Sequence, residues 1–554
     1  MTVYDLVIRG GSIVDGTGNA PFVADIAVIG GIIVAIGSGL SGHDVLEADG
    51  CIVAPGFIDI HTHYDPQILW DRQLTPSCWH GVTSAIAGNC GFSVAPVRAE
   101  GRDILIGTLE KVEDMDGDVL RAGVDWDFES YGDYLAAVER RKPVINFGGY
   151  VGHTAVRLYV MGDASYEREA TADELASMKA VVVASLRDGA LGFSTDRAGF
   201  ILGHGGKPVP SVVASQDETE TMMAVVAEEG RGIAHIAPGE NYAWLPDFQR
   251  RAGCTVNWSA ILTYPESSGR DHHGKLRTLA AARADGGDMW AQVTCRPIVQ
   301  QISLLGPYSF SHIPAFARII AAAPADRAAL YRSEAWRAEL AENLTRPDMM
   351  QPRWELIRVA ESEANPQLIG RTIKALAQEC GQSPFDVMCD LALEDDLATR
   401  FSVTFANDDE AAVADLLITE GCIVGLSDAG AHASQICDAV LPTDFLSRWV
   451  RDRKLMSVEA GIRKLTGELA DILRIDRGYL RVGAPADIVT IDLDALSTGP
   501  IRRVRDLPAG GERLIADAPT GIVHVVVNGV PIRRDGQPDP AGIATGPGRI
   551  LRNS

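Results

Sequence analysis

The stretch FIDIHTHYD, residues 57–65, places two histidines one residue apart where an apolar run ends. Alternate side chains of an extended strand point the same way, so His61, His63 and Asp65 are expected to project together, opposite the isoleucines. Two imidazoles on one face of a strand end have little packing reason to be there. We therefore predict that the pair binds a metal ion.

Three further candidate ligands also belong to apolar, strand-like segments. Cys90 follows GVTSAIAGN, His235 lies within GIAHIA, and Asp428 follows CIVGLS. Each has a plainer alternative, because a lone cysteine or histidine in a strand is usually a core residue, and Asp428 could cap a helix at AGAHAS. Their joint placement favours a metal site. Imidazole, thiolate and carboxylate ligands together suit zinc better than magnesium or calcium.

The surrounding segments alternate strand-like and helix-like patterns. TADELASMKAVVVASLRDG has capping-box spacing at Thr171 and Glu174 and a helical apolar face, and the strand-like ALGFSTD follows it. TVNWSAIL, DMWAQVTC and SVTFAND are interpreted as further strands, with helical patterns between them. About eight such units indicate an α/β fold, a (β/α)8 TIM-like barrel in which chemistry gathers at the strand ends.

The two ends of the chain are alike in being short, β-rich and punctuated by glycine. Residues 1–56 and 480–554 are therefore predicted to form one small β-sandwich domain. The barrel, a metal-dependent hydrolase domain by the resemblance given below, is assigned to residues 57–479. Within it, the region around 300–370 is mostly helical and too long for a plain connection, so we predict a lid-like insertion.

The amino-acid composition indicates which classes of binding partner and which cellular compartment to expect. The 554 residues are 46% hydrophobic and 22% charged, as in globular proteins. A net charge of -24 without a basic run argues against nucleic-acid and membrane partners, and favours a small molecule. Nine cysteines without a C-x-x-C pattern, and no signal-peptide pattern, indicate a reducing, cytoplasmic location. The oligomeric state is left open, a homo-oligomer included.

The stretches APGFIDIHTHYD and GVTSAIAGNCGFSVAP resemble the amidohydrolase superfamily, and within it the D-aminoacylase branch, the N-acyl-D-amino-acid deacylases. YVGHTAVRLYVMG, DGALGFSTD, VGLSDAG and LTGELADILRIDRGYLRVGAPADIVTID extend the resemblance over nearly the whole chain. It implies a β/α barrel with a β-sandwich, and zinc held by His61, His63, Cys90, His235 and Asp428. It also implies that zinc lowers the pKa of a bound water, while Asp428 acts as general acid/base.

The chain departs from this branch at an expected metal ligand. Where the branch has a histidine in an SHHK-like stretch, this chain has Trp258 and Ser259, and the next histidines are His272 and His273. Two divalent cations carry four positive charges, of which one thiolate and one carboxylate would neutralise only two. About two positive charges would stay uncompensated. One tightly bound zinc is therefore expected, with a second site weak or empty.

A second departure lies in DMWAQVTCRP, where the branch usually has a tyrosine-rich, YPY-like stretch. Arg296 stands near that position and either contacts substrate or forms a structural ion pair. His153, in YVGHTAVR, and His432, four residues after Asp428, are lesser substrate-binding candidates. Their alternatives are a hydrogen-bonded structural histidine and an exposed histidine in a first helical turn.

The combined prediction is a zinc-dependent amidohydrolase, similar to N-acyl-D-amino-acid deacylases, that cleaves a linear, non-peptide amide C–N bond in a small N-acylated compound. The substrate class rests on resemblance alone. One alternative keeps the scaffold and hydrolyses a cyclic amide, or another C–N or ester bond, although we find no strand-end lysine for a bridging carbamate. The other is a catalytically inactive homologue that binds a small molecule.

Overall fold

The computed structural model describes residues 3–199, 201–265, 268, 270–307, 310, 313–346 and 352–553. Its fold is α/β, with a parallel barrel and smaller sheets that contain the strands near both chain ends. Within the described ranges, no helix has both the length and the apolar composition needed to cross a bilayer.

The first strands belong to the smaller sheets. They are β1 (Val3–Arg9), β2 (Ser12–Ile13), β3 (Phe22–Val23), β4 (Asp25–Ile29), β5 (Ile32–Gly37), β6 (Ser41–Glu47) and β7 (Ile52–Pro55). One sheet has the order β5-β4-β1-β6. Alternate residues of β1, such as Leu6 and Ile8, face a buried apolar core, as the two-residue period of a strand requires.

The barrel follows, with strands and helices in alternation. The strands are β8 (Phe57–Asp59), β9 (Val82–Ala87), β10 (Asn146–Gly152), β11 (Gly192–Asp196), β12 (Ile233–Ala237), β13 (Val256–Trp258) and β14 (Met289–Val293). The helices are α1 (Arg102–Val112), α2 (Gly117–Gly123), α3 (Tyr131–Arg140), α4 (His153–Met161), α5 (Ala172–Asp188), α6 (Pro210–Val213), α7 (Gln216–Glu228), α8 (Leu245–Ala252) and α9 (His272–Ala284). Helix α5 begins at the predicted capping box, where Thr171 and Glu174 bond each other's backbone amides.

The segment after β14 builds a separate sheet and its own apolar core. Its elements are β15 (Ile298–Ser303), α10 (Phe316–Ala321), α11 (Pro324–Tyr331), α12 (Glu334–Asn343), β16 (Arg358–Glu361), α13 (Ile373–Cys380), α14 (Pro384–Glu394) and β17 (Arg400–Ala406). The strands pair antiparallel in the order β15-β17-β16. SVTFAND therefore contributes to this sheet and not to the barrel, and the inserted segment extends to 406 because β17 returns to pair with β15.

The chain then closes the barrel and completes the smaller sheets. The elements are α15 (Glu410–Ile418), β18 (Cys422–Val424), α16 (Leu441–Asp444), a π-helix (Phe445–Asp452), α17 (Val458–Leu465), α18 (Gly467–Leu473), β19 (Ile488–Ile491), β20 (Arg502–Val504), β21 (Arg513–Ile515), β22 (Ile522–Val527), β23 (Val530–Arg534), β24 (Gln537–Pro538) and α19 (Pro540–Thr545).

Eight parallel strands of the described chain lie in the order β8-β9-β10-β11-β12-β13-β14-β18. The two edges meet just beyond β8 and β18, where Thr62 pairs with Ala429 and the His63 amide donates to the Ala429 carbonyl at 2.7 Å. The sheet is thus a closed barrel, and the predicted (β/α)8 fold is confirmed.

Strands from both chain ends share the remaining large sheet, in the order β24-β23-β22-β19-β7-β2-β3. A single apolar core combines Ile13 and Val53 with Ile488 and Val526. Both ends thus contribute to one small β-rich body. The division of the chain at residues 56 and 480 stays a prediction.

Candidate metal centre

The five predicted ligands lie at the carboxyl ends of barrel strands. His61 and His63 follow β8, Cys90 follows β9, His235 lies on β12, and Asp428 follows β18. Parallel strands of a barrel end at one rim, so residues far apart in the sequence meet there. The three histidines are buried, whereas the Asp428 side chain remains 30% exposed. The structure therefore brings all five candidates together.

The five side chains form two overlapping groups of donor atoms. The donors of His61, Cys90 and His235 lie within 4.8 Å of one another, and so do those of His61, His63 and Asp428. His61 Nε2 is 3.5 Å from Cys90 Sγ and 3.4 Å from Asp428 Oδ1. His63 Nε2 is 3.2 Å from the same carboxylate oxygen. His61 is thus the member common to both groups.

Gln292 orients the imidazole of His61. Its Oε1 lies 2.5 Å from His61 Nδ1, and both side chains are fully buried. An amide oxygen can only accept, so Nδ1 carries the proton and the Nε2 lone pair faces Cys90 and Asp428. This is the tautomer that a metal ligand needs. The sequence prediction missed Gln292, although a polar residue amid the apolar strand AQV was a usable signal.

Glu113 performs a similar task beside His63. Its Oε1 lies 3.5 Å from His63 Nδ1, and its Oε2 lies 3.9 Å from His432 Nε2. Burial, and then the nearby negative charge of Asp428, raise the pKa of Glu113 well above its usual value. Glu113 follows helix α1, where no sequence pattern distinguishes it from a surface glutamate. The sequence prediction accordingly missed it.

The loop after β18 is not helical, contrary to one sequence interpretation. Residues 431–435 form bends and turns, and Asp428 has a positive φ of 53°. Asp428 therefore does not cap a helix at AGAHAS, and His432 does not occupy a first helical turn. The His432 amide instead donates to the Glu113 carbonyl at 2.5 Å, which ties this loop to the segment after α1.

Ser259 occupies the rim after β13, where the resembled branch has a histidine. Its Oγ is 3.3 Å from His235 Nε2 and 3.8 Å from Cys90 Sγ. A neutral hydroxyl is not among the usual zinc ligands, which are thiolate, imidazole and carboxylate. His272 and His273 begin α9, and neither joins a ligand group among the described residues.

Buried acids surround this centre. Burial raises the pKa of Asp59 to about 6, of Asp65 to about 7 and of Asp196 to about 8. Asp59 accepts from Ser427 Oγ at 2.7 Å, and Asp65 accepts from the Gly88 amide at 3.0 Å. Asp65 therefore turns to the backbone instead of joining His61 and His63 as a ligand. Its predicted projection beside the histidines is not observed.

The electrostatics of the donor set match a bound cation. Although burial acts in the opposite direction, the adjacent imidazoles of His61 and His63 hold the pKa of Asp428 well below its usual range. Burial and the neighbouring carboxylates raise the pKa of the Cys90 thiol. A metal ion would reverse this effect on a coordinating thiol. A thiol, three imidazoles and a carboxylate, with two of the imidazoles held by other side chains, suit zinc.

Arg296 and His153 are engaged in structural contacts. Arg296 donates from Nε to Asp438 at 2.8 Å and from Nη1 to Asp444 at 2.9 Å. Both ring nitrogens of His153 are paired, with Thr195 Oγ1 at 2.9 Å and Glu218 Oε1 at 3.1 Å. The geometry favours the structural alternative for both residues, and substrate contact by either of them stays a prediction.

Replacing Arg296 with methionine is expected to destabilise the fold. The change leaves Asp438 and Asp444 without their shared cation in a largely buried site, which costs roughly 3 kcal/mol. Urea denaturation measures the change in the free energy of unfolding. Arg250→Met, which breaks an exposed pair with Asp247, is the matched control and is expected to change little. A loss for Arg296→Met no larger than the control's would contradict a structural role.

Comparison with known proteins identifies the family of the chain. The amidohydrolase family model matches residues 44–533. N-acyl-D-glutamate deacylase of Alcaligenes xylosoxydans xylosoxydans is 29% identical over 99% of this chain and 96% of that protein. D-aminoacylase of the same organism is 27% identical, over 96% of this chain and 94% of that protein.

A solved structure extends the comparison to three dimensions. The crystal structure of N-acyl-D-glutamate deacylase from Bordetella bronchiseptica, in complex with zinc and a phosphonate mimic of the tetrahedral intermediate, covers 100% of both chains. It shares 26% sequence identity with this chain, at a TM-score of 0.67. The resemblance to the D-aminoacylase branch is confirmed by these relatives. The protein is a hydrolase that acts on carbon–nitrogen bonds other than peptide bonds, and the chain belongs to the amidohydrolase family.

Proposed function

We propose that the protein is a zinc-dependent amidohydrolase that cleaves the linear amide bond of a small N-acylated amino acid or a related compound. The observation that carries this proposal is the pair of overlapping donor groups that share His61 at the barrel rim. Full-length similarity to an N-acyl-D-glutamate deacylase supports the substrate class. A deacylase structure in complex with zinc supports the metal.

His61, His63, Cys90, His235 and Asp428 are the residues proposed to hold the metal. When bound, zinc would lower the pKa of a water molecule and polarise the amide carbonyl. Asp428 is the one carboxylate of this set, and its side chain keeps contact with solvent. It is therefore placed to take a proton from the attacking water and to pass it to the leaving amide nitrogen as general acid/base.

One zinc ion is proposed to bind tightly. His61 Nδ1 is engaged by Gln292, so His61 offers only Nε2, and two ions cannot both take that single donor. One of the two metal positions then has only two protein ligands. Ser259 stands beside the Cys90 and His235 position, where a hydroxyl replaces an imidazole. This supports the expectation of a second site that is weak or empty.

Replacing Ser259 with histidine is expected to raise the zinc content from about one to about two ions per chain, because the new imidazole restores a third ligand beside Cys90 and His235. Elemental analysis after dialysis against low zinc provides the measurement. Ser259→Ala is the control, and its content is expected to stay at about one. Equal zinc contents in the two variants would contradict this account of Ser259.

The proposed partner is a small molecule, and nucleic acids and membranes are not expected to bind. A cytoplasmic location remains part of the proposal, as does the division into residues 1–56 with 480–554 and residues 57–479. The substrate is proposed by analogy with the named activities of the relatives, which are deacylases of N-acyl-D-amino acids. A homo-oligomer remains compatible with it.

The test combines metal analysis with a substrate panel. Protein purified without added metal is expected to contain about one zinc per chain and to hydrolyse N-acetyl-D-amino acids faster than their L-enantiomers, hydantoins or cyclic imides. A chelator is expected to abolish turnover, and added zinc to restore it. Faster hydrolysis of the cyclic compounds would favour the cyclic-amide alternative. A folded protein without zinc and without turnover would favour the inactive binding homologue.

A further inference from the structure

A group of buried polar side chains, called here the polar layer, lies inside the barrel beside the proposed ligands. It consists of Tyr150 on β10, Asn257 on β13 and Gln292 on β14, all 0% exposed. The Asn257 amide nitrogen interacts with Tyr150 Oη, whereas Oδ1 of Asn257 and Nε2 of Gln292 have no hydrogen-bond partner among the residues that the structure describes. Such atoms are rare in native proteins because leaving them unpaired costs free energy. This polar layer therefore calls for an explanation.

The proposed histidine ligands differ in what holds their second ring nitrogen. His61 Nδ1 pairs with Gln292, and His63 Nδ1 faces the Glu113 carboxylate. Metal-binding histidines almost always donate the second N–H to a carbonyl, a carboxylate or a water, which sets the tautomer and the direction of the ring. His61 thus follows the rule, and His63 has a carboxyl group 3.5 Å from its Nδ1.

His235 is the exception. Its Nε2 faces the ligands, since it lies 3.3 Å from Ser259 Oγ, which itself lies 3.8 Å from Cys90 Sγ. Its Nδ1 faces the opposite way and is fully buried, with no partner in the described part of the chain. Asn257, its partner on the neighbouring strand, carries a buried carboxamide oxygen that is also unpaired among the described residues.

Asn257 is the member of the layer beside His235. The two residues are direct partners in the pairing of β12 with β13, so their side chains emerge on the same face of the sheet, inside the barrel. The ring of Tyr150 stacks on the His235 imidazole, with centroids 5.7 Å apart and planes at 3°. The His235 ring thus lies against a stacked aromatic ring, and a carboxamide with an unpaired oxygen emerges beside it from the neighbouring strand.

We propose that Asn257 is a positioning residue, whose carboxamide oxygen accepts the Nδ1 proton of His235 when the metal is bound. That hydrogen bond keeps the Nε2 lone pair directed at the metal position beside Cys90. Asn257 would thus accept the Nδ1 proton of His235 as Gln292 accepts that of His61. The inference rests on the proposed function, because it requires that His235 binds the metal.

Asn257→Leu tests the inference, because leucine has a similar size and cannot accept a hydrogen bond. The zinc affinity of the position beside Cys90, the weaker of the two, is expected to fall about 10–100-fold, the usual effect of losing a partner of a metal-binding histidine. Competition with a chromogenic chelator measures this affinity. In protein saturated with excess cobalt, so that the position beside Cys90 is filled, the thiolate-to-cobalt charge-transfer band and the visible bands are expected to shift, because His235 is no longer held in place.

Thr83→Val is the matched control. Thr83 lies on the barrel strand β9, is fully buried, and also has an Oγ1 without a partner among the described residues. Both substitutions replace a buried polar group that lacks at least one hydrogen-bond partner with an apolar one of similar size, which changes the stability of the fold little. A role in folding alone predicts that both variants keep the wild-type zinc affinity and cobalt spectrum. The positioning role instead predicts that Asn257→Leu changes the zinc affinity and the cobalt spectrum while Thr83→Val leaves both unchanged.

The outcomes are distinct. Wild-type affinity and spectrum in Asn257→Leu overturn the inference and leave the proposed function intact. Wild-type protein that binds no zinc overturns the proposed function itself. If Asn257→Leu does not fold, Tyr150→Phe carries the test, since it keeps the ring stacked on His235 and removes only the hydroxyl beside Asn257. At least about threefold weaker zinc binding in Tyr150→Phe supports the polar layer, and unchanged binding overturns it.

Discussion

The Asp428→Asn variant is expected to lose about a thousandfold in kcat/KM while keeping most of its zinc. The amide has nearly the shape of the carboxylate and retains an oxygen toward His61 and His63, but it cannot accept a proton at neutral pH. General acid–base catalysis contributes about 10²–10⁴-fold, which sets the scale of the loss. Steady-state kinetics on an N-acetyl-D-amino acid, with zinc analysis of the same sample, provide the measurement.

A surface aspartate provides the control for that experiment. Asp247 is 67% exposed and pairs with Arg250 on helix α8. Asp247→Asn is expected to keep wild-type kinetics and zinc content. Activity of Asp428→Asn within tenfold of the wild type would remove Asp428 from the general acid/base role. Equal losses of zinc and of activity would show that Asp428 acts mainly as a ligand.

The His61→Gln variant is expected to lose nearly all bound zinc and, with it, nearly all turnover. His61 belongs to both donor groups, so the tightly bound ion loses a ligand whichever group holds it. Loss of an indirect partner weakens metal binding about 10–100-fold, so loss of a shared direct ligand is expected to exceed about a hundredfold. Elemental analysis, chelator competition and kinetics measure the effect, and thermal unfolding checks that the variant is folded.

Replacement of a histidine outside the metal centre controls for a general effect of losing a histidine on zinc binding and turnover. His204 is exposed and belongs to neither donor group. His204→Gln is expected to bind zinc and to turn over substrate as the wild type does. The assignment of His61 as the shared ligand is contradicted if folded His61→Gln retains about one zinc per chain.

Local sequence patterns were sufficient to predict the barrel and to select the five candidate ligands. Strand and helix periods are properties of neighbouring residues, so His61, His63, Cys90 and Asp428 could be assigned to strand ends without knowledge of the fold. Their donor types already suited zinc, and the family resemblance implied the same metal. It also marked Ser259 as a departure before its neighbours were known.

Local sequence patterns did not predict which distant segments pair with each other. SVTFAND has a strand pattern, but only its antiparallel pairing with β15 places it outside the barrel. Arg296 was ambiguous until Asp438 and Asp444 were found around it. Periodicity indicates which face of a strand is buried, and it does not specify the partner.

The sequence by itself determined the residue types, their strand-end positions and the family, because these depend on short-range order along the chain. Only the tertiary structure decided which side chains hold the histidines. Gln292 reaches His61 across 231 residues, and Glu113 reaches His63 from a loop without any pattern. The physical reason is barrel closure, which brings the ends of β8 and β14 to one rim and places Asn257 beside His235.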